Sequence, residues 1–211
     1  RNMELPQGIL GLPKELRLSI LGLLAPADVR SLVATSKAYH QTFEPALYSQ
    51  ITMAWNTKQK PPISLLLRSI LERSDLASCT RSLSLTAGSS GYGFHPYTEN
   101  IPPISVDGLP MNHAKDFIDN SGMREDARNT WKDKLEAGNV DALAALLISL
   151  LPNLESLHYG PSFAIETNTL GGMLRFSLCS PERLQESALP AFTRLRHVDV
   201  SSAMAKFTKF K

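Results

Sequence analysis

The stretch Leu12 to Leu24, LPKELRLSILGLL, limits what this chain can fold into more than any other. Wound as a helix at about 100° per residue, it sets Leu16, Ile20, Leu23 and Leu24 along one side, with Leu18 and Leu21 well away from that side. A helix that feeds one small core needs one apolar stripe. This one is apolar around most of its circumference, so two bodies must cover it. Downstream, Asp28 to Ser36 carries a narrower stripe of Val29, Leu32 and Val33, and Ala38 to Leu47 carries Tyr39, Phe43 and Leu47 at four-residue steps. Three short helices within roughly forty residues are too small to be stable alone. Both arguments predict a docking module.

The rest of the chain reads as a second, larger body. Residues 1–11 form an irregular lead-in, and Asn56 to Pro62 (NTKQKPP) is a polar, proline-ended connector. Ile63 to Leu76 has the spacing of one amphipathic helix opened by Pro61 and Pro62. Cys79 to Thr86 alternates like a strand, with Leu83 and Leu85 on one face. Gly88 to Pro110 is rich in Gly, Ser and Pro, and together with a charged helix over Lys115 to Ala137 it reads as an insertion over 88–139. Trp131 and Leu135 are that helix's apolar anchors, and Gly138-Asn139 ends it. Val140 to Leu151 is a strongly apolar helix, too short to span a bilayer. Pro181 to Leu189 reads as a helix capped by Ser180.

One arrangement recurs: a helix, a Pro-containing turn, then L-x-x-L-x-L. Leu154, Leu157 and Tyr159 fit it, Leu195, Val198 and Val200 fit it, and Leu83 with Leu85 fit its second half. Each such unit has an apolar face that only a stacked neighbour can bury, which predicts parallel strands joined by helical crossovers. The spacing is longer and less even than the ~20–29 residues of regular leucine-rich repeats. The fold class expected is therefore α/β, a three-helix bundle over 12–52 followed by an irregular helix–strand region over 60–211 with a short parallel sheet. The chain opens on Arg1 rather than Met and stops soon after a strand-like segment, so that region reads as incomplete.

Leu12-Pro13-x-Glu15-Leu16, Ile20-Leu21, Leu24, Pro26-x-Asp28-Val29, Leu32, Ser36-Lys37 and Leu47-Tyr48 with Ile51, in that order and spacing, resemble an F-box. The remainder, through PPISLLLRSILER and DALAALLISLLPNLESL, is similar to the leucine-rich region of fungal F-box proteins. The resemblance implies a non-catalytic substrate-receptor subunit of an SCF-type cullin–RING ubiquitin ligase, working in ubiquitin-dependent protein degradation in the cytoplasm or nucleus. It implies a Skp-family adaptor, through it a cullin, and an unidentified protein substrate held by the C-terminal region. A scaffold acting outside the ligase would use the same docking surface. Carried onto this sequence, Leu12 and Pro13 form the turn that leads in against the adaptor, beside Glu15. Leu16, Ile20, Leu21 and Leu24 supply contacts from the first helix. Pro26 opens the second, where Val29, Leu32 and Val33 are divided between core and partner. Ala25 stands where such families often place Ser or Asp, so the second helix starts without a side-chain cap.

Other function classes find little support. Hydrophobic residues make up 43% and charged residues 20%, an ordinary globular balance, and the formal charge of +2 gives no electrostatic case for nucleic acid or an anionic membrane. None of His40, His95, His113, His158 and His197 pairs with another His or with Cys at a metal-ligand spacing. Cys79 and Cys179 read as buried thiols in a reducing compartment. Gly91-Tyr92-Gly93 is no phosphate loop, and Gly88-Ser89-Ser90-Gly91 is no nucleophile elbow. His113 and Asp116 lie one turn apart, which a solvated helix face explains. No cofactor is expected.

Overall fold

The structure is a computed structural model that describes residues 8–55, 62–87, 103–160, 168–180 and 187–199. The chain divides into two compact units, Arg1–Gln50 and Ile51–Lys211. The first holds a short 3-10 turn, Ile9–Gly11, and three helices: α1 (Lys14–Leu23), α2 (Pro26–Ala34) and α3 (Lys37–Leu47). The second holds β1 (Gln50–Trp55), α4 (Ile63–Glu72), α5 (Ser74–Cys79), β2 (Ser82–Ala87), α6 (Met111–Asp119), α7 (Glu125–Glu136), α8 (Val140–Ser149), β3 (Ser156–Tyr159), α9 (Asn168–Cys179) and β4 (His197–Asp199).

The strands form one sheet in the order β1-β2-β3-β4, with β2, β3 and β4 parallel. The register sets Leu83 beside Leu157 beside Val198, and Leu85 beside Tyr159, the positions that the recurring leucine pattern aligns. Leu83, Leu85, Leu157 and Tyr159 are buried, whereas Val198 on the last strand is 56% exposed. The alternate residues give the other face a polar row, Ser84–His158–Asp199, in which His158 Nδ1 and Asp199 Oδ2 lie 3.0 Å apart. The α/β class and the short parallel sheet are thus present.

The densest part of the second unit is α8. Every residue of it is buried, and α4, α7 and α9 are its neighbours. Asn139 caps it, its Oδ1 accepting the Ala142 N–H at 3.1 Å. The indole N–H of Trp131, wholly buried on α7, donates to the Ala142 carbonyl at 3.1 Å. Part of the stretch read as an insertion therefore supplies core: Ile104, Leu109, Ala114, Ile118, Trp131 and Leu135 are all buried.

The elements differ from the sequence expectation at several points. The helix expected over Ile63 to Leu76 is two helices, broken at Arg73, which leaves helical geometry (φ −132, ψ 79) and pairs its guanidinium with Asp75 at 2.7 Å. The helix expected over Lys115 to Ala137 is also two, α6 and α7. Gly122 between them sits at φ +72, a left-handed value that a helix cannot hold. Asn120-Ser121-Gly122 was the turn signal for that break. Strand β1 and helix α9 were not expected, and the unit boundary falls after Gln50, so Ile51 belongs to the sheet rather than to the bundle. Of the helix expected over Pro181 to Leu189, residues 181–186 lie outside the described residues and Ser187 to Leu189 are not helical. Cys79 is only partly buried and Cys179, the last residue of α9, is exposed, so neither is a core thiol.

Helix α9 is held from another helix. The buried Asp141 carboxylate on α8 accepts the Thr169 N–H at 2.7 Å and the Leu170 N–H at 3.2 Å, satisfying two donors of α9's first turn. Burial pushes the Asp141 carboxyl above the usual carboxylate range, against these two hydrogen bonds and the Lys134 charge, which pull it down. Burial, and then the Asp141 charge, also raises the Tyr159 phenol. The folded chain therefore holds the Asp141 proton more tightly than the unfolded chain does. Asp141 makes stability fall as pH rises from the unfolded value of 3.8 through the raised folded value. Urea melts across that range should show wild type gaining on an Asp141→Asn variant as pH falls from neutral toward 4. A difference that does not change with pH would contradict this account of the carboxylate.

Candidate docking surface

The first unit is built on a small core of Val29, Val33 and Phe43. Ile9, Leu10, Leu21, Leu24, Leu32, Tyr39, Ala46 and Leu47 pack against it, and the rings of Tyr39 and Phe43 lie 5.5 Å apart. Helix α3 starts on Ser36, whose Oγ accepts the Tyr39 N–H at 3.2 Å. Helices α1 and α2 have no such cap: Pro13 and Ala25 occupy their N-cap positions without a side-chain hydrogen bond. Pro26 in the first turn of α2, where its missing N–H matters least, and Asp28 beside it partly compensate.

Helix α1 has no buried residue. Its inward line is Leu21 with Leu24, not the denser row of Leu16, Ile20 and Leu23. Leu16 is 52%, Leu18 55% and Leu23 87% exposed, while Ile20 is half-buried. These three are half of the large hydrophobic residues exposed by more than half among the described residues, and the other three, Leu65, Leu178 and Val198, stand on separate elements. Three exposed leucines on one ten-residue helix of a bundle that already has a core make α1 the candidate interaction surface of the first unit.

The candidate contact residues therefore divide. Pro13, Glu15, Leu16 and Pro26 are exposed, and Leu12 and Ile20 are half-buried. Leu21, Leu24 and Leu32 pack on the bundle's own core. Val29 and Val33 are each only 6% exposed and lie in the interior of the bundle. Leu18 and Leu23, apolar positions of α1 outside the expected contact set, are each exposed by more than half. Their signal was the same excess of leucine around one helix.

The second unit offers its polar sheet face, with Ser82, Ser84, Ser156 and His158 half-buried and His197 and Asp199 exposed. His113 and Asp116 are both exposed on α6. Among the described residues, no three His, Cys, Asp or Glu side chains are grouped so as to hold a metal ion, and no helix is long and apolar enough to cross a membrane. Of the loop read over Gly88 to Pro110, residues 88–102 lie outside the described residues, as do residues 200–211 with Val200 of the recurring leucine pattern. No protein-family model, curated protein or solved structure matches the chain.

Proposed function

We propose that this chain is an F-box substrate-receptor subunit of an SCF-type cullin–RING ubiquitin ligase, in which α1 to α3 dock on a Skp-family adaptor and the second unit, with irregular leucine-rich character, recruits a protein substrate. The observation that carries the reading is α1: a ten-residue helix with no buried residue, turning Leu16, Leu18 and Leu23 outward from a bundle that has a separate core. The order of Leu12-Pro13-x-Glu15-Leu16, Pro26-x-Asp28-Val29 and Leu47-Tyr48 supports the same family. Docking would remove the exposed leucines from water, a favourable transfer of about 1.5–3 kcal/mol for Leu23 if fully covered and about half that each for Leu16 and Leu18, which are already half covered.

The receptor performs no bond chemistry on this reading. It raises the concentration of a bound substrate near the ubiquitin-charged enzyme. The polar face of the sheet, with its Ser84–His158–Asp199 row, is the surface in the second unit offered to that substrate. The cytoplasm and nucleus are the compartments in which such a subunit works.

Mixing the purified chain with a purified Skp-family adaptor tests the reading. A one-to-one complex with a dissociation constant in the micromolar range or below is expected by calorimetry, and the complex should bind a cullin. No association at tens of micromolar would sink the F-box reading. Adaptor binding without cullin recruitment would turn it toward a scaffold outside the ligase.

A further inference from the structure

We infer that helix α9 is a detachable cover: it leaves α8 as one cooperative element while α8 and the sheet stay folded. Its sequence, NTLGGMLRFSLC, sets Gly171 and Gly172 inside a twelve-residue helix. Each glycine in a helix interior shifts the balance about fivefold toward coil relative to alanine. Packing requires neither one. A Cβ at Gly171 would meet nothing within 4 Å, and one at Gly172 would make only an ordinary contact, 3.9 Å from Met123 Cε. Neither has the left-handed backbone found at Gly122 and Gly138. The two positions are a weakness that alanine would remove.

The face that α9 buries is weak as well. Its buried residues are Thr169, Leu170, Met173 and Ser177. Of these, only Leu170 and Met173 take apolar side chains out of water. Ser177 donates its hydroxyl to the Met173 sulfur at 3.8 Å, a weak acceptor. The first turn is fastened by the Asp141 carboxylate of α8, through the Thr169 and Leu170 N–H groups. Separation returns the carboxylate, both amides and both hydroxyls to water, so hydration recovers most of what these polar contacts contribute. Helix α8 differs on each count. Every one of its residues is buried, and the Trp131 indole ties it to α7. Helix α9 therefore loosens first and the rest of the unit later. Its departure opens the side of α8 that it covered, with Asp141 near the start of that strip, and access to the strip follows the open fraction.

Hydrogen exchange on the free full chain, followed peptide by peptide at rising urea below the unfolding transition, tests the cover without any partner. Without urea, α9 amides should take up deuterium at least about tenfold faster than those of α8, and with a shallower urea dependence. Replacing both glycines, Gly171→Ala with Gly172→Ala, should slow uptake in α9 by about tenfold. Trp131→Phe weakens a contact that survives the opening, so it should speed exchange in α8 by about tenfold and leave α9 unchanged. If α9 and α8 exchange together at every urea concentration, α9 opens only with the whole unit and the cover is wrong. Exchange in α9 that accelerates along with α8 in Trp131→Phe, or that is no slower in the double alanine variant, overturns it equally.

Discussion

Gly138→Ala should destabilise the second unit by about 3 kcal/mol or more and lower its melting temperature by roughly 10 °C. Two effects add. Gly138 sits at φ +68, a left-handed conformation that costs an alanine about 1–2 kcal/mol. A Cβ placed there would also run into the Ile104 carbonyl oxygen, which is backbone and cannot swing aside. The Ile104 N–H donates to the Gly138 carbonyl at 2.9 Å, so moving that segment away strains a hydrogen bond beside the buried Ile104. The glycine also ends α7: its N–H donates to the Leu135 carbonyl and the Asn139 N–H to the Lys134 carbonyl, both at 3.0 Å. Gly138→Asn separates the two effects. Asparagine tolerates the left-handed region but still carries a Cβ, so it should remain strongly destabilised if the clash dominates. A melting temperature unchanged in Gly138→Ala would contradict the close approach.

Trp131→Ala should cost the same unit about 3–5 kcal/mol, the range for removing a large buried aromatic side chain. The indole is wholly buried, so the cavity left behind cannot be filled by solvent without hydrating apolar walls. Its N–H donates to the Ala142 carbonyl on α8, tying α7 to the most enclosed helix. Trp131→Phe keeps most of the apolar volume and loses only the donor, so it should cost about 1–2 kcal/mol. Urea unfolding of both variants checks the order. Equal losses in the two would mean that the hydrogen bond, not the packing, carries the contribution.

Strands β2 and β3 were legible in the sequence because their signal is local, whereas β1 was not read from it. Leu83 and Leu85, and Leu157 and Tyr159, alternate within a few residues of one another, and the register aligns them as the leucine pattern does. Helix α8 was legible for the same reason, and so were Trp131 and Leu135 as anchors one turn apart. Helix α9 was not legible. Its sequence, NTLGGMLRFSLC, carries two adjacent glycines, and its first turn is satisfied by Asp141, 28 residues earlier in the chain than Thr169. A cap supplied from so far away leaves no trace near the helix it caps. The break at Arg73 was equally silent, since no Gly or Pro marks it.

On α1 the sequence disclosed the quantity of apolar surface but not its direction. Leu16, Ile20 and Leu23 form the densest row of α1, and density alone would turn that row inward. The bundle instead uses Leu21 and Leu24, because the side that meets Val29, Val33 and Phe43 is decided by where α2 and α3 lie. One helix read alone contains no record of that choice.

The enclosure of α8 on every side has a further consequence. Its amide protons have no local route to water, because opening any one turn would also part α4, α7 and α9 from it. Deuterium should therefore enter α8 only when the whole second unit opens, and its uptake there is a direct gauge of that unit's global unfolding free energy.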